Sequence, residues 1–195
     1  PYRRVLLKLS GETLMASRSF GISAEGCRSV ALAVKKLHGQ GVEVAIVIGG
    51  GNFFRGIQAN QFNLGRVAAD TMGMLATIMN GVALQQMLDL EGVEACVMTG
   101  LDCPKAAESY VCHKAVSYLK EGRVVILVGG TGHAYFTTDT AAALRASEIQ
   151  ADILMKATKV DGVFDKDPLK YPEAKKYETL TYSRALAEKL AVMDA

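Results

Sequence analysis

Three short clusters carry residue types suited to holding and neutralising anions. Lys8-Leu9-Ser10-Gly11 closes an apolar run that begins at Val5, Gly49-Gly50-Gly51-Asn52 closes the run from Val44, and Gly129-Gly130-Thr131-Gly132 closes the run from Val124. Glycines let backbone N–H groups approach an anion, and a helix starting just beyond such a turn adds the partial positive charge of its N-terminus. Lys8 sits inside an apolar strand immediately before Ser10-Gly11, so its ammonium is expected at the strand's end, where it could neutralise charge on a transferring phosphoryl group. The bland alternative is an edge lysine whose stem covers apolar surface. Gly49-Gly50-Gly51 offers a second cradle, with Arg55 one turn further on to grip a phosphate through paired N–H donors. On its own a triple glycine is often only a flexible turn.

The third cluster runs on through His133, Ala134, Tyr135, Phe136, Thr137 and Thr138 to Asp139, and so combines hydroxyls, an aromatic pair and a carboxylate. Thr137 or Thr138 would serve as a helix cap, but a cap alone leaves the glycines and aromatics unexplained. A phosphate held by the threonines and a base packed near Tyr135 or Phe136 accounts for the whole segment. His133 reads as a lining residue, because a phosphate nucleophile needs no base to deprotonate it at neutral pH.

These clusters need strands and helices to bring them together. Apolar runs over 4–9, 42–48, 93–98, 123–128 and 152–156 predict strands, several too continuously apolar for a sheet with one wet face. Between them Ala24–Gln40, Val67–Leu90, Lys105–Glu121 and Thr138–Gln150 read as helices, the first capped by Ser23. Gly41, Gly92 and Gly122 each stand between a helix and the next strand, as C-terminal stop signals do. The alternation implies a largely parallel sheet with helices on both faces, and in such sheets ligands bind beyond the carboxyl ends of the strands. After Lys156 the rhythm gives way to Asp161-Gly162 and Asp167-Pro168 turns, which predict a hairpin or irregular excursion.

The 195 residues, half of them apolar, suffice for one sizeable core, and no linker-like stretch divides them, so one domain over 1–195 is expected. With 22 basic and 20 acidic residues the net charge is +2, too balanced to argue for a duplex nucleic acid or an anionic membrane surface. Cys27, Cys96, Cys103 and Cys112 lack metal-ligand spacing and read as thiols in a reducing compartment, with no metal site expected. The apolar runs are strand-sized and the start shows no signal-peptide pattern, which points to a cytoplasmic protein. Neither GxxxxGK[ST] nor GxGxxG in its proper setting occurs, which disfavours P-loop kinases and dinucleotide-binding dehydrogenases.

Five segments in order carry a resemblance: KLSGE from Lys8, IGGGNFFRG from Ile48, RVAADTMGMLATIMNG from Arg66, GTGHAYFTTDTAA from Gly130 and KATKVDGVFDKDP from Lys156. Together they resemble the bacterial UMP kinases of the amino acid kinase superfamily, over nearly the whole chain. The resemblance implies an α/β fold, a three-layer αβα sandwich with a mainly parallel central sheet. It implies transfer of a phosphoryl group from ATP to UMP with Mg²⁺, in pyrimidine nucleotide biosynthesis, by a homohexamer regulated by GTP and UTP. Carried over by position, Lys8, Leu9, Ser10, Gly11, Gly51, Arg55, Thr158, Phe164 and Asp167 would bind ATP. Gly50, Asp70 and the loop Thr131, Gly132, His133, Ala134, Tyr135, Phe136, Thr137 and Thr138 would bind UMP, Asp70 through the ribose. Lys8, Lys156 and Asp139 would be the catalytic group, with Asp139 orienting either a lysine or the magnesium shell.

The chain departs from that pattern in three places. His133-Ala134 stands where the family usually has Asn-Pro, which bears on the fit of the uracil. Ala16, Ser17, Arg18, Ser19, Phe20 and Gly21 occupy the position associated with GTP activation, where the family is richer in glycine and acid. The family also continues beyond the Val192-Met193-Asp194 pattern, so a C-terminal part is expected to be missing. Two other functions stay open at the level of sequence. One is a kinase of the same fold acting on a carboxylate, carbamate or amino acid, against which Asp70 and the Tyr135-Phe136 pair argue. The other is a non-catalytic nucleotide-binding regulator, for which the chain offers no arginine-rich tract or aromatic platform to suit RNA.

Overall fold

A computed structural model describes residues 2–54, 63–190 and 192–193. Two compact units emerge, Pro1–Ala157 and Thr158–Ala195. The first is built on a six-stranded parallel sheet: β1 (Arg4–Leu9), β2 (Glu43–Ile48), β3 (Ala95–Thr99), β4 (Glu108–Ser109), β5 (Val124–Val128) and β6 (Ile153–Lys156), in the order β4-β3-β5-β2-β1-β6. Among the described residues four α-helices accompany it: α1 (Ala24–His38), α2 (Arg66–Leu90), α3 (Cys112–Lys120) and α4 (Thr138–Glu148).

The central strands β2 and β5 are almost wholly apolar because both of their faces are covered. Side chains alternate across a strand. Val44, Ile46 and Ile48 of β2, with Val124, Ile126 and Val128 of β5, therefore join the core made with α1 and α2, which contribute Ala31, Val34, Ile78, Leu84 and Leu88. The intervening Ala45, Val47, Val125 and Leu127 join a second core with Ala115 and Leu119 of α3 and Ala142 of α4. The result is a three-layer α/β sandwich, as expected. Leu6 of β1 belongs to the second core and Leu154 of β6 packs against it. By the same alternation Lys8 and Lys156 face the α4 side.

Local signals place the helix ends. The Ser23 hydroxyl accepts the Gly26 N–H at 2.9 Å and caps α1, and Thr137, rather than Thr138, caps α4 by accepting the Thr140 N–H at 3.1 Å. Gly41, Gly92 and Gly122 take φ values of +79°, +79° and +84°, the left-handed conformation that ends a helix at least cost in glycine. α2 has the length and apolar content of a membrane-crossing helix, yet Ile78, Leu84 and Leu88 are buried in the first core.

One element differs from its expected form. Lys105–Glu121 is not a single helix, since α3 begins only at Cys112 and Glu108–Ser109 forms β4. Pairing of Glu108 and Ser109 with Met98 and Thr99, extended by the Tyr110 N–H to the Thr99 carbonyl at 2.8 Å, outweighs the local helical preference.

The second unit contains an antiparallel bridge between Phe164 and Lys176 and one helix, α5 (Tyr182–Ala187), capped by Thr181. Asp165 and Tyr177 N–H groups donate to Lys175 and Val163 carbonyls, giving the hairpin expected after Lys156.

Candidate active site

All six strands run parallel, so their carboxyl ends share one edge, and the order β5-β2-β1-β6 sets the three glycine clusters and Lys156 side by side. Lys8 and Lys156 are register partners on β1 and β6. Their ammonium groups converge on one carboxylate: Lys8 Nζ lies 2.6 Å from Asp139 Oδ1, and Lys156 Nζ donates to Oδ2 at 2.6 Å. The Asp139 side chain is 1% exposed, against 13% for Lys8 and 28% for Lys156. A buried carboxylate needs pairing, and Asp139 gains further from its place in the first turn of α4, where the helix N-terminus favours negative charge. The triad keeps one net positive charge at the sheet edge. Where sequence left the role of Asp139 open between lysine and magnesium shell, its carboxylate bridges both lysines.

The loop after β2 is held from beneath by a buried amide pair. Asn80 Nδ2 donates to the Gly49 carbonyl and to Asn52 Oδ1, both at 2.7 Å, and Asn52 Nδ2 returns a bond to Asn80 Oδ1 at 2.8 Å. Gly11 follows β1 so close to this loop that a Cβ there would lie 2.5 Å from the Gly49 carbonyl oxygen. By contrast a Cβ on Gly51 would meet nothing within 4 Å, leaving open space in front of that residue. Ser10 caps a 3-10 turn over Gly11–Leu14 by accepting the Glu12 N–H at 3.3 Å. Leu9 points into the first core, so only its backbone is free to meet a ligand. Arg55 lies outside the described residues.

An open cleft of about 240 Å³ lies beside this loop, lined by Gly50, Gly51, Asp70, Gly130, Thr137 and Thr138 among others. Asp70 is pinned at its mouth: Oδ2 accepts the Tyr135 N–H at 2.7 Å and the Arg66 guanidinium at 2.8 Å. Burial alone would raise the Asp70 pKa, but these donors outweigh it and hold the carboxyl below its ordinary value. Tyr135 adopts φ +73°, costly for a residue with a Cβ, and Arg66 stacks over its ring at 5.5 Å. Tyr135 and Phe136 are both exposed, and Phe136 joins the cleft lining. His133 is exposed, with its ring bonded to the Thr131 carbonyl.

The segment Ala16–Gly21 is tied to the β2 loop. Gly21 and Asn52 exchange two hydrogen bonds of 2.9 Å, and the Phe20 ring meets Phe53 edge-on at 5.6 Å. Thr158, Phe164 and Asp167 belong to the second unit, where Thr158 bonds the Val160 carbonyl and Asp167 accepts the Leu169 N–H. Sequence reasoning missed Arg66, Thr77 and Asn80. The signal for Arg66 was its i,i+4 spacing from Asp70. For Asn80 and Thr77, whose hydroxyl accepts the Gly129 N–H at 2.7 Å, it was a polar residue inside an apolar helical run.

The family model described as Amino acid kinase family matches residues 3–194. The chain belongs to the amino acid kinase family. Within that family, a uridylate kinase of Protochlamydia amoebophila is 58% identical over 193 residues, 99% of this chain and 77% of that protein. A uridylate kinase of Magnetococcus marinus is 55% identical over 192 residues, covering 98% and 80%. Among solved structures, a UMP kinase from Ureaplasma parvum superposes with a TM-score of 0.94 at 37% identity, covering 100% of this chain and 83% of that one. A UMP kinase from Bacillus anthracis gives 0.96 at 38% identity, covering 100% and 80%. The central sheet and its helices are thus those of an amino acid kinase.

Proposed function

We propose that this chain is a UMP kinase, transferring the γ-phosphoryl group of ATP to UMP to give UDP and ADP. The observation that carries this reading is the Lys8–Asp139–Lys156 bridge, set beside the glycine loops at the carboxyl edge of the sheet. High identity to two uridylate kinases over almost the whole chain supports UMP as the acceptor.

In the proposed reaction a UMP phosphate oxygen attacks the γ-phosphorus in line, and the bond to the β,γ-bridging oxygen breaks as ADP leaves. Lys8 and Lys156 neutralise charge on the transferring group, and Asp139 fixes where their ammonium groups sit. The backbone donors after β1 and β2, at Ser10, Gly11 and Gly51, take the ATP phosphates, joined by Arg55. Gly50, Asp70 and the loop Thr131–Thr138 take UMP, with Asp70 bonding the ribose and Tyr135 and Phe136 beside the base.

The donor set suits a magnesium ion that arrives on the triphosphate. Both Asp139 oxygens already face ammonium groups, and the described residues contain no cluster of three or more His, Cys, Asp or Glu side chains fit to hold a metal. Mg²⁺ commonly takes one or two carboxylates along with phosphate oxygens and water. Asp139 could join that shell only by giving up one of its two lysine contacts, and the ion when bound would offset negative charge on the phosphates.

The reading extends to a homohexamer in the cytoplasm, serving pyrimidine biosynthesis, with nucleotide effectors acting through Ala16–Gly21. Self-association is supported by an exposed apolar row on α2, Met72, Leu75, Met79 and Val82, at spacings of three and four. The test of function is ADP formation from ATP and Mg²⁺ with UMP, CMP, aspartate or N-acetylglutamate offered separately. Turnover with UMP alone is expected. Turnover with an amino acid instead, or saturable nucleotide binding without ADP release, would overturn the proposal.

A further inference from the structure

Among the described residues Arg145 is a buried cation that the reaction just described leaves without a role. It lies on α4, seven positions beyond the helix start, and is 7% exposed. A guanidinium withdrawn from water needs compensation, and three partners provide it. Nη1 pairs with Glu148 Oε2 at 2.8 Å, the group stacks on the Tyr110 ring at 3.9 Å, and Nη2 donates to the Gly130 carbonyl at 3.4 Å. Gly130 immediately precedes the loop assigned to UMP and lines the cleft, whereas Arg145 is not among the cleft residues.

The loop is therefore fastened to one helix at both ends. Thr137, Thr138 and Asp139 form the start of α4, and Arg145, further along the same helix, reaches back to Gly130. In a planar trans peptide the carbonyl and the following N–H point in opposite directions. A Gly130 carbonyl turned toward Arg145 thus turns the Thr131 N–H away from it and fixes the aim of that donor. Gly130 itself is left-handed, at φ +57°, so the arrangement is one that the free chain does not strongly prefer.

Gly100, just past β3, completes the seat. A Cβ there would come within 3.0 Å of the Gly130 carbonyl oxygen and 3.1 Å of both Arg145 Nη2 and the Gly132 nitrogen. Loop backbone, guanidinium and the end of β3 converge on a space where a methyl group would be tight, so that one of these neighbours would have to give by a few tenths of an ångström.

We propose that Arg145, seated against Gly100, is a positioning residue for the acceptor loop: it holds the Gly130 peptide so that the loop meets UMP in a preset shape. This rests on the assignment of UMP to that loop. It differs from a purely structural role, which would lower stability without singling out one substrate.

The test compares R145K, R145M and G100A with the unaltered chain. KM for UMP is expected to rise about tenfold or more in R145M and G100A, with KM for ATP within about twofold, since small misplacements of binding groups are costly. R145K keeps the charge but not the paired donors and should fall between. Amide hydrogen exchange on the ligand-free proteins supplies a reading independent of catalysis. Exchange over residues 129–137 should quicken in R145M, while β1 and β2 stay as they were. If R145M does not fold, R145K and G100A decide. Equal rises in both KM values, an unchanged KM for UMP, or unaltered loop exchange would overturn the proposal. An unaltered chain inactive on UMP would sink the functional reading instead, and the exchange data would still judge the loop.

Discussion

Replacing Asp139 with Asn removes one charge and almost no volume, and it tests the bridge on which the active-site reading stands. Each lysine lies 2.6 Å from its own oxygen of the carboxylate. Adding the roughly 2.2 Å between the two oxygens puts the ammonium nitrogens at most about 7 Å apart, so at an effective dielectric near 20 they repel by at least ~2 kcal/mol. In the native chain the carboxylate more than offsets that repulsion. In D139N it stands uncompensated, and an amide nitrogen faces one of the cations. A loss of about 2–4 kcal/mol is expected, toward the range for breaking a buried pair. At roughly 2–4 °C per kcal/mol for a chain of this size, Tm should fall by about 5–15 °C. ATP should then raise the Tm of D139N more than that of the unaltered protein, because its phosphates restore the missing negative charge. Differential scanning fluorimetry with and without ATP, alongside steady-state turnover, reads all of this. A variant that melts within a degree of the parent and turns over normally would refute the argument that Asp139 holds the two lysines in place.

Lys8→Ala should lower kcat by about two powers of ten or more with a smaller effect on UMP binding, as rapid-quench kinetics with ligand titration would show; unchanged turnover would remove Lys8 from the mechanism. Asp70 has a depressed pKa, so its ionised bonds add stability above the ordinary carboxylate range, and that contribution fades as pH falls through the depressed folded-state value. Asp70→Asn should therefore melt below the parent at neutral pH, with the gap narrowing in acid; a pH-independent gap contradicts the assignment. Met79→Glu, in the centre of the exposed row on α2, should shift the protein to smaller species in light scattering while leaving the monomer folded, and an unchanged mass would free that row of any role in assembly.

Four of the six strands, β1, β2, β3 and β5, were legible because they announce themselves twice, by largely apolar composition and by a glycine close before or after each. Gly41, Gly92 and Gly122 all take the left-handed conformation expected of helix stops, and β1 spans the residues predicted for it. The start of α3 was not legible, because Glu108 and Ser109 join the sheet by pairing with Met98 and Thr99, a tertiary pairing that no local pattern encodes. The same division holds in the site. Lys8 could be picked out as a charge within an apolar strand, but the Asn52–Asn80 pair joins a residue just after β2 to one on α2, 28 positions away. Arg145 was invisible for a similar reason: on sequence it is an ordinary helical arginine, and only the packing of Tyr110 and Gly130 around it reveals what it holds.

Strand order explains why the two lysines are unequal. β1 lies between β2 and β6, so Lys8 is flanked by a strand on each side, whereas Lys156 stands on the last strand of the described sheet. Both meet Asp139 at 2.6 Å, yet the Lys156 side chain is twice as exposed as that of Lys8, 28% against 13%. The better-buried ammonium has fewer alternative positions and less competing water. The contact of the more exposed one with the carboxylate is better screened by solvent. One buried acid thus holds two cations in unequal surroundings, which suits the proposed reaction, whose charge moves from the γ-phosphate toward the leaving oxygen as the bond breaks.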